Sequence, residues 1–253
     1  MSNEILKVEN LNKTYVNGKN SNTIIENLNL TIQQGEFVCI LGPSGCGKST
    51  LIRCIASFED YSGTITSNGK VVTKPSTDRI MVFQDFNQLY PWKTVEKNIQ
   101  YPLKLQGIKD KKKLKEITDE VLKKVDLDGK QKHFPHELSG GMKQRVAIAK
   151  ALALKPDIVL MDEPFAALDA MTRNNLQKEL LELFNRENMT VIFITHNIQE
   201  AIVLGTRIIM MNRQGEICID DNNPLPKPCS PSSPGYGEIW QKFSTALENE
   251  NRR

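Results

Sequence analysis

Nine residues, GPSGCGKST from Gly42 to Thr50, constrain this chain more than any other stretch. They follow the apolar run EFVCIL and open KSTLIRCIASF, so the motif lies between a predicted strand and a predicted helix, the setting that gives it chemical meaning. Its glycines let the backbone curl until the N–H groups converge on one point, which suits a phosphate. The whole loop (Gly42, Pro43, Ser44, Gly45, Cys46, Gly47, Lys48, Ser49 and Thr50) is expected to wrap the phosphates of a nucleotide. Lys48 would reach the β- and γ-phosphates, and Ser49 would offer its hydroxyl to Mg²⁺.

The stretches around this loop predict an α/β fold. LKVENLNKTYV, TIIENLNLTI and EFVCILG read as strands, GTITSNGKVV as a strand–turn–strand with its turn at Asn68-Gly69, and RIMVFQD as a further strand. PDIVLMDE and MTVIFITH are apolar strands each followed by a helical segment, and TRIIMMNRQGEICID is a hairpin turning at Gln214-Gly215. Strands alternating with helices imply a mainly parallel sheet covered on both faces. From Pro91 to about Leu154 the period becomes helical, so residues 91–154 are expected to form a helical insertion. Within it Leu114, Ile117, Val121, Leu122 and Val125 mark one apolar face, and the run KDKKKLK is either a docking patch or a solvated helix face. After Asp221 the Pro-dense NNPLPKPCSPSSPG predicts a loop, followed by a surface helix, EIWQKFSTALE. No internal repeat is visible.

Bulk properties exclude several classes. At 253 residues the chain can form one domain with lobes or two small domains. With 33 Lys and Arg against 30 Asp and Glu, the net charge of +3 is too small to make nucleic acid the expected partner. No apolar run approaches the roughly 18 residues of a membrane span, and the early Glu4 argues against a signal peptide, so retention in the cytosol is expected. The five cysteines (Cys39, Cys46, Cys54, Cys218 and Cys229) lack metal-like spacing and read as reduced thiols. Because Cys46 lies inside the phosphate loop, its alkylation is expected to obstruct nucleotide binding.

Other polar groups sit where strands end. IVLMDE closes an apolar strand with Asp162, expected to bind Mg²⁺ through water, and Glu163, placed to polarise the attacking water as a general base. Gln84 follows IMVF and His196 follows VIFIT. Ligands gather at the carboxyl ends of parallel strands, so Gln84 is expected to touch Mg²⁺ and the water, and His196 the γ-phosphate. LSGGM, from Leu138 to Met142, poses a separate puzzle. It puts a hydroxyl and free N–H groups at the start of a helix, a second anion cradle far along the chain from the first.

Taken in order, the phosphate loop, Gln84, LSGGM, LMDEP, AALD (Ala166 to Asp169) and His196 resemble the motifs of ATP-binding cassette ATPases over nearly the whole chain. The resemblance implies a P-loop NTPase core with a mainly parallel sheet, an N-terminal antiparallel β subdomain and an inserted α-helical subdomain. The cassette would span residues 1–220, with a C-terminal loop and helix over 221–253. It also implies ATP and Mg²⁺ as cofactors and a homodimer in which two chains pair head to tail around two nucleotides. Ser139, Gly140 and Gly141 would then grip the γ-phosphate held by the partner copy's loop, which resolves the puzzle of two cradles. Tyr15, in NKTY, matches the family's aromatic that stacks on adenine, and Asp169 would sit at the dimer seam.

A finer similarity, in VFQDFNQLYPWKTVEKNI, Met142 and the tail LPKPCSPSSPGYGEIWQKF, is to importer ATPases of the nitrate/sulfonate/taurine branch. It implies that this chain sits peripherally at the cytoplasmic face of the cell membrane on integral membrane permease subunits and, indirectly, serves an extracytoplasmic solute-binding protein. Tyr90, Pro91 and Trp92 are candidate permease contacts, with Trp92 equally readable as packed within the helical lobe. A soluble cassette acting on ribosomes or DNA, and an exporter's motor, are the competing functions. Three departures from the family pattern stand out: Asn197 for Asp, Ser57 for Gly and Met142 for Gln. None removes a catalytic group.

Overall fold

The computed structural model describes residues 3–18, 20–83 and 88–252. Two compact units emerge, Met1–Ser76 with Phe184–Arg253, and Thr77–Leu183.

The first unit holds two sheets. In one, the long strands β1 (Glu4–Asn17) and β2 (Asn20–Gln33) pair antiparallel, and β4 (Ser62–Ser67) and β5 (Lys70–Val71) continue the order β2-β1-β4-β5. The turn at Asn68-Gly69 has φ of 50° and 71°, the paired positive values of a type I′ hairpin. Contrary to the expectation of no repeat, Glu9-Asn10-Leu11-Asn12 and Glu26-Asn27-Leu28-Asn29 are the same tetrapeptide, set against each other with Leu11 opposite Leu28. The N–H of Asn27 donates to Oδ1 of Asn12, and the N–H of Asn10 to Oδ1 of Asn29, both at 2.9 Å. Nδ2 of Asn12 and of Asn29 donate to the carbonyls of Asn10 and Asn27. The side-chain amides thus replace ladder bonds where the register shifts, around a local two-fold axis.

In the other sheet of this unit, β3 (Phe37–Leu41) runs parallel to β8 (Thr190–Ile194) on one side and to β9 (Arg207–Met211) on the other. The predicted hairpin adds β10 (Ile217–Asn222) antiparallel to β9. Every residue of β3 and β8 is buried, as unbroken apolar runs require in a parallel sheet covered on both faces. Helix α1 (Lys48–Ile55) packs on β8 and α6 (Ile198–Leu204) on β3. The tail helix α7 (Tyr236–Arg252) lies on α6 and buries Tyr236 and Phe243, while Arg213 donates to the side chain and carbonyl of Glu250.

In the second unit β6 (Arg79–Val82) pairs parallel with β7 (Ile158–Asp162). Helices α2 (Val95–Leu105), α3 (Lys111–Lys124) and α4 (Gly140–Leu152) pack on one another, and α5 (Ala170–Glu187) begins here. Thr94 caps α2 and Asp110 caps α3. The apolar face of α3 is as expected at Leu114, Val121 and Leu122, but Ile117 is only half-buried. Thr118 is the buried residue instead, its hydroxyl satisfied by the Leu114 carbonyl at 2.7 Å. Lys111, Lys112 and Lys113 are exposed.

Candidate functional site

Strand β3 ends at Leu41 and the chain curls through residues 42–47 before α1 begins at Lys48. Gly42 has φ 155°, and a Cβ there would lie 2.6 Å from the Met211 carbonyl oxygen and 2.8 Å from Sγ of Cys46, so no side chain fits. The N-cap of α1 is Gly47, which has no side chain to occupy the first-turn N–H groups. Lys48 is 5% exposed, and its Nζ donates to the carbonyls of Gly42 at 2.9 Å and Pro43 at 2.8 Å. A backbone curl, an uncapped helix N-terminus and an ammonium folded over them fit a polyphosphate. The Cys46 thiol is 2% exposed, and burial raises its pKa against the pull of Lys48. A reagent therefore reaches it only when the loop opens.

His196 emerges beside this loop. The N–H of Thr195 donates to the Ile40 carbonyl at 3.2 Å, so the chains leaving β3 and β8 run together and His196 lies exposed at their common carboxyl edge. Asn197 caps α6, its Oδ1 accepting from the N–H groups of Gln199 at 2.9 Å and Glu200 at 3.4 Å. The amide oxygen performs the capping that an Asp carboxylate would, without its charge. The Thr195 hydroxyl donates to buried Glu200 at 2.5 Å, bracing the same turn.

Tyr15, on β1, is 39% exposed rather than buried in the core. The ammonium of Lys13 lies 4.5 Å from its ring centre. Both residues line an open pocket of about 470 Å³ together with Glu59 and Tyr61. Lys13 has no motif signature, yet it is findable: residues i and i+2 of a strand share a face, so Tyr15 implies a neighbour at 13.

In the second unit, β7 delivers Asp162, 7% exposed, and then Glu163, whose φ is 43°. A left-handed backbone at a non-glycine residue costs about 1–2 kcal/mol and is retained most often where a side chain must be aimed. Val82, the last residue of β6, stands in register with Met161, so the chain toward Gln84 leaves the sheet beside Asp162. Gln84 itself lies outside the described residues. Ser139 is exposed and caps α4, its hydroxyl accepting from the Met142 N–H at 3.3 Å, with Gly140 and Gly141 forming the first turn. A Cβ on Gly141 would come within 2.7 Å of Cγ2 of Thr172 in α5, so this glycine is what lets the two helices approach. The ion pair Arg145–Glu179, at 2.5 Å, ties them one turn further on. Asp169 caps α5 through the N–H groups of Met171 and Thr172, and these bonds, with the Thr172 side chain first, hold its carboxyl below the usual range. The LSGGM stretch and Asp169 are therefore parts of one braced helix pair. Gln144, on α4, is fully buried with neither Nε2 nor Oε1 hydrogen-bonded among the described residues.

The same unit carries an aromatic surface. Trp92 is 70% exposed, so it is not packed within the lobe. Tyr90 lies tilted against Trp92, with ring centres 5.7 Å apart, and edge-on to Tyr101 at 5.2 Å. Lys150 lies over the Tyr90 ring at 5.0 Å and Lys93 over the Tyr101 ring at 5.0 Å. Beneath them the side chain of Asn98, fully buried, accepts from the Tyr90 N–H and donates to the carbonyls of Tyr90, Lys93 and Thr94. That pins the segment from which Pro91 and Trp92 project.

A parallel-sheet phosphate loop, a carboxylate pair at a strand end and a second, serine-capped glycine turn together define a nucleotide-hydrolysing ATPase of the cassette type. The family model described as ABC transporter matches residues 25–166. The chain belongs to the ABC transporter family and binds ATP with Mg²⁺. It is 44% identical over 248 residues to an uncharacterized ABC transporter ATP-binding protein of Methanocaldococcus jannaschii, covering 97% of this chain and 92% of that protein. It is likewise 44% identical over 227 residues to an aliphatic sulfonates import ATP-binding protein of Bacillus cereus, covering 89% and 88%. Among solved structures it is similar to a dimeric ATP-binding cassette in a post-hydrolysis state bound to ADP and Pi. There the TM-score is 0.76 at 34% identity, over 88% of this chain and 100% of that one.

Proposed function

We propose that this chain is the ATP-hydrolysing subunit of a membrane importer for a small oxidised sulfur or nitrogen solute, working as a head-to-tail homodimer at the cytoplasmic face of the membrane. The observation that carries the importer assignment is the 44% identity to the sulfonates import protein across most of both chains. The platform of half-buried Tyr90 with exposed Pro91 and Trp92 supports it, because a permease segment needs such an apolar, rigidly held surface to pull on. Among the described residues no helix is long and apolar enough to cross a membrane. A solute-binding protein outside the membrane would supply the selectivity.

In the proposed cycle the loop from Gly42 to Thr50 holds the β- and γ-phosphates, with Lys48 exchanging its carbonyl partners for phosphate oxygens. Tyr15 stacks on adenine. Ser49, Asp162 and Gln84 would hold Mg²⁺, which when bound neutralises phosphate charge. Glu163 takes a proton from the attacking water, and His196 donates a hydrogen bond to the γ-phosphate. Ser139, Gly140 and Gly141 bind the γ-phosphate seated in the partner copy, with Asp169 at the seam. Only the triphosphate is long enough to be gripped from both sides, so it favours the closed pair by differential affinity, and hydrolysis removes that preference.

The test is purification of the chain from its native cells in mild detergent, with identification of what accompanies it. A polytopic membrane protein in equal amount is expected. Ribosomal or DNA-associated partners without one would overturn the importer assignment while leaving the ATPase intact.

A further inference from the structure

Lys13 is a buried cation with no part in the cycle above. It is 8% exposed, and its Nζ is held by Oε2 of Glu59 at 3.0 Å and by the Asp60 carbonyl at 2.8 Å. Both anchors come from the segment that follows α1. The same Nζ faces the centre of the Tyr15 ring at 4.5 Å. Glu59 is held below the usual carboxylate range first by its hydrogen bond from Lys13, with a smaller contribution from the Tyr15 hydroxyl. One face of the ring is therefore covered by a cation that is itself pinned, and the residue is still 39% exposed. An aromatic side chain that must be ordered at the moment of binding loses affinity to that ordering, whereas one held in advance does not. A cation on the covered face also withdraws electron density from the free face, which suits stacking on an electron-rich purine.

We propose that Lys13 is a positioning residue for the nucleobase: anchored by Glu59 and Asp60, it clamps Tyr15 from behind so that the ring's other face is presented as a rigid platform. This rests on the proposed stacking of Tyr15 on adenine.

The experiment is calorimetric titration of the full chain with Mg·ATP and with Mg·tripolyphosphate, a probe that lacks the base. It compares the wild type with Lys13→Met, Lys13→Arg, Glu59→Gln and Tyr15→Ala. Lys13→Met is expected to weaken ATP binding about three- to tenfold and to leave tripolyphosphate binding within about twofold. Lys13→Arg, whose guanidinium can both stack on Tyr15 and pair with Glu59, should recover most of the loss. Glu59→Gln, which keeps the cation but loosens its anchor, should show the same base-dependent loss in smaller degree and carries the test if Lys13→Met fails to fold. If Tyr15→Ala weakens ATP binding but Lys13→Met and Glu59→Gln do not, the positioning role is overturned and the stacking survives. If Tyr15→Ala binds ATP as the wild type does, both fall. Equal loss of both probes in Lys13→Met would also overturn the proposal, because Lys13 would then act on the phosphates or on the fold.

Discussion

Replacing Ser57 by Gly should stabilise the protein, and the gain can be worked out from the end of α1. The N–H of Ser57 donates to the Cys54 carbonyl at 2.9 Å and the N–H of Phe58 to the Arg53 carbonyl at 2.8 Å. Those two bonds are the paired closures of a Schellman motif, which requires a left-handed residue at the position Ser57 occupies. Its φ is indeed 60°. A residue with a Cβ loses about 1–2 kcal/mol there. Glycine escapes that strain but surrenders more freedom on folding, about 0.5–1 kcal/mol. The net expectation is a gain of about 0.5–1 kcal/mol, or roughly 1–4 °C in Tm for a chain of this size. Thermal unfolding without nucleotide, at matched protein concentration, measures it, with Ser57→Ala as a control that keeps the Cβ and should gain nothing. A Ser57→Gly protein melting at or below the wild type would show that the helix end does not require the left-handed turn.

Glu163→Gln should keep ATP binding and lower turnover by at least about a hundredfold, the usual share of a general base. An ATP-bound dimer should then accumulate, and sedimentation showing only monomer with Mg·ATP would defeat the shared-site proposal. Gln144→Met keeps the shape of a buried side chain and removes two polar atoms that are unpaired among the described residues, so Tm should rise, reflecting up to about 1–3 kcal/mol. A clear fall would mean that the amide finds partners in solution. For the thiols, burial raises the pKa of both Cys46 and Cys218, so access decides the order: mass spectrometry of maleimide-treated protein near pH 8 should show exposed Cys218 modified before buried Cys46. Bound ATP should slow Cys46 further, and labelling in the reverse order would contradict the closed loop.

Much of this was legible from residue order because the phosphate loop, the Asp162-Glu163 pair and His196 each follow a strand end. Unbroken apolar runs could only be β3, β7 and β8, and a parallel sheet gathers the residues just beyond such strands at one edge. That is how His196 could be placed beside the phosphate loop. Local chemistry read well too, as Asn68-Gly69 and the hairpin at Gly215 show. The features that escaped depend on pairings between distant residues. Nothing local says that Lys13 meets Glu59, that Thr172 needs Gly141 bare, or that Gln144 is sealed from water. The choice of Thr118 over Ile117 for the buried side of α3 was likewise invisible, since a threonine bonded back to its own helix passes as apolar only once the helix exists.

The twinned tetrapeptides of β1 and β2 carry a consequence for how this chain can evolve. Because the two copies of Glu-Asn-Leu-Asn answer each other around a local axis, the side-chain oxygens of Asn12 and Asn29 each serve a backbone N–H on the opposite strand. A slip of one residue would break both cross-strand bonds together and turn Leu11 and Leu28 out of the core. A change at Asn12 leaves the N–H of Asn27 to water, and a change at Asn29 does the same to that of Asn10. Positions 12 and 29 should therefore keep a side-chain acceptor whatever side chain stands at 27 or 10, and the inheritance of that clasp also keeps Tyr15 at a constant distance along the strand.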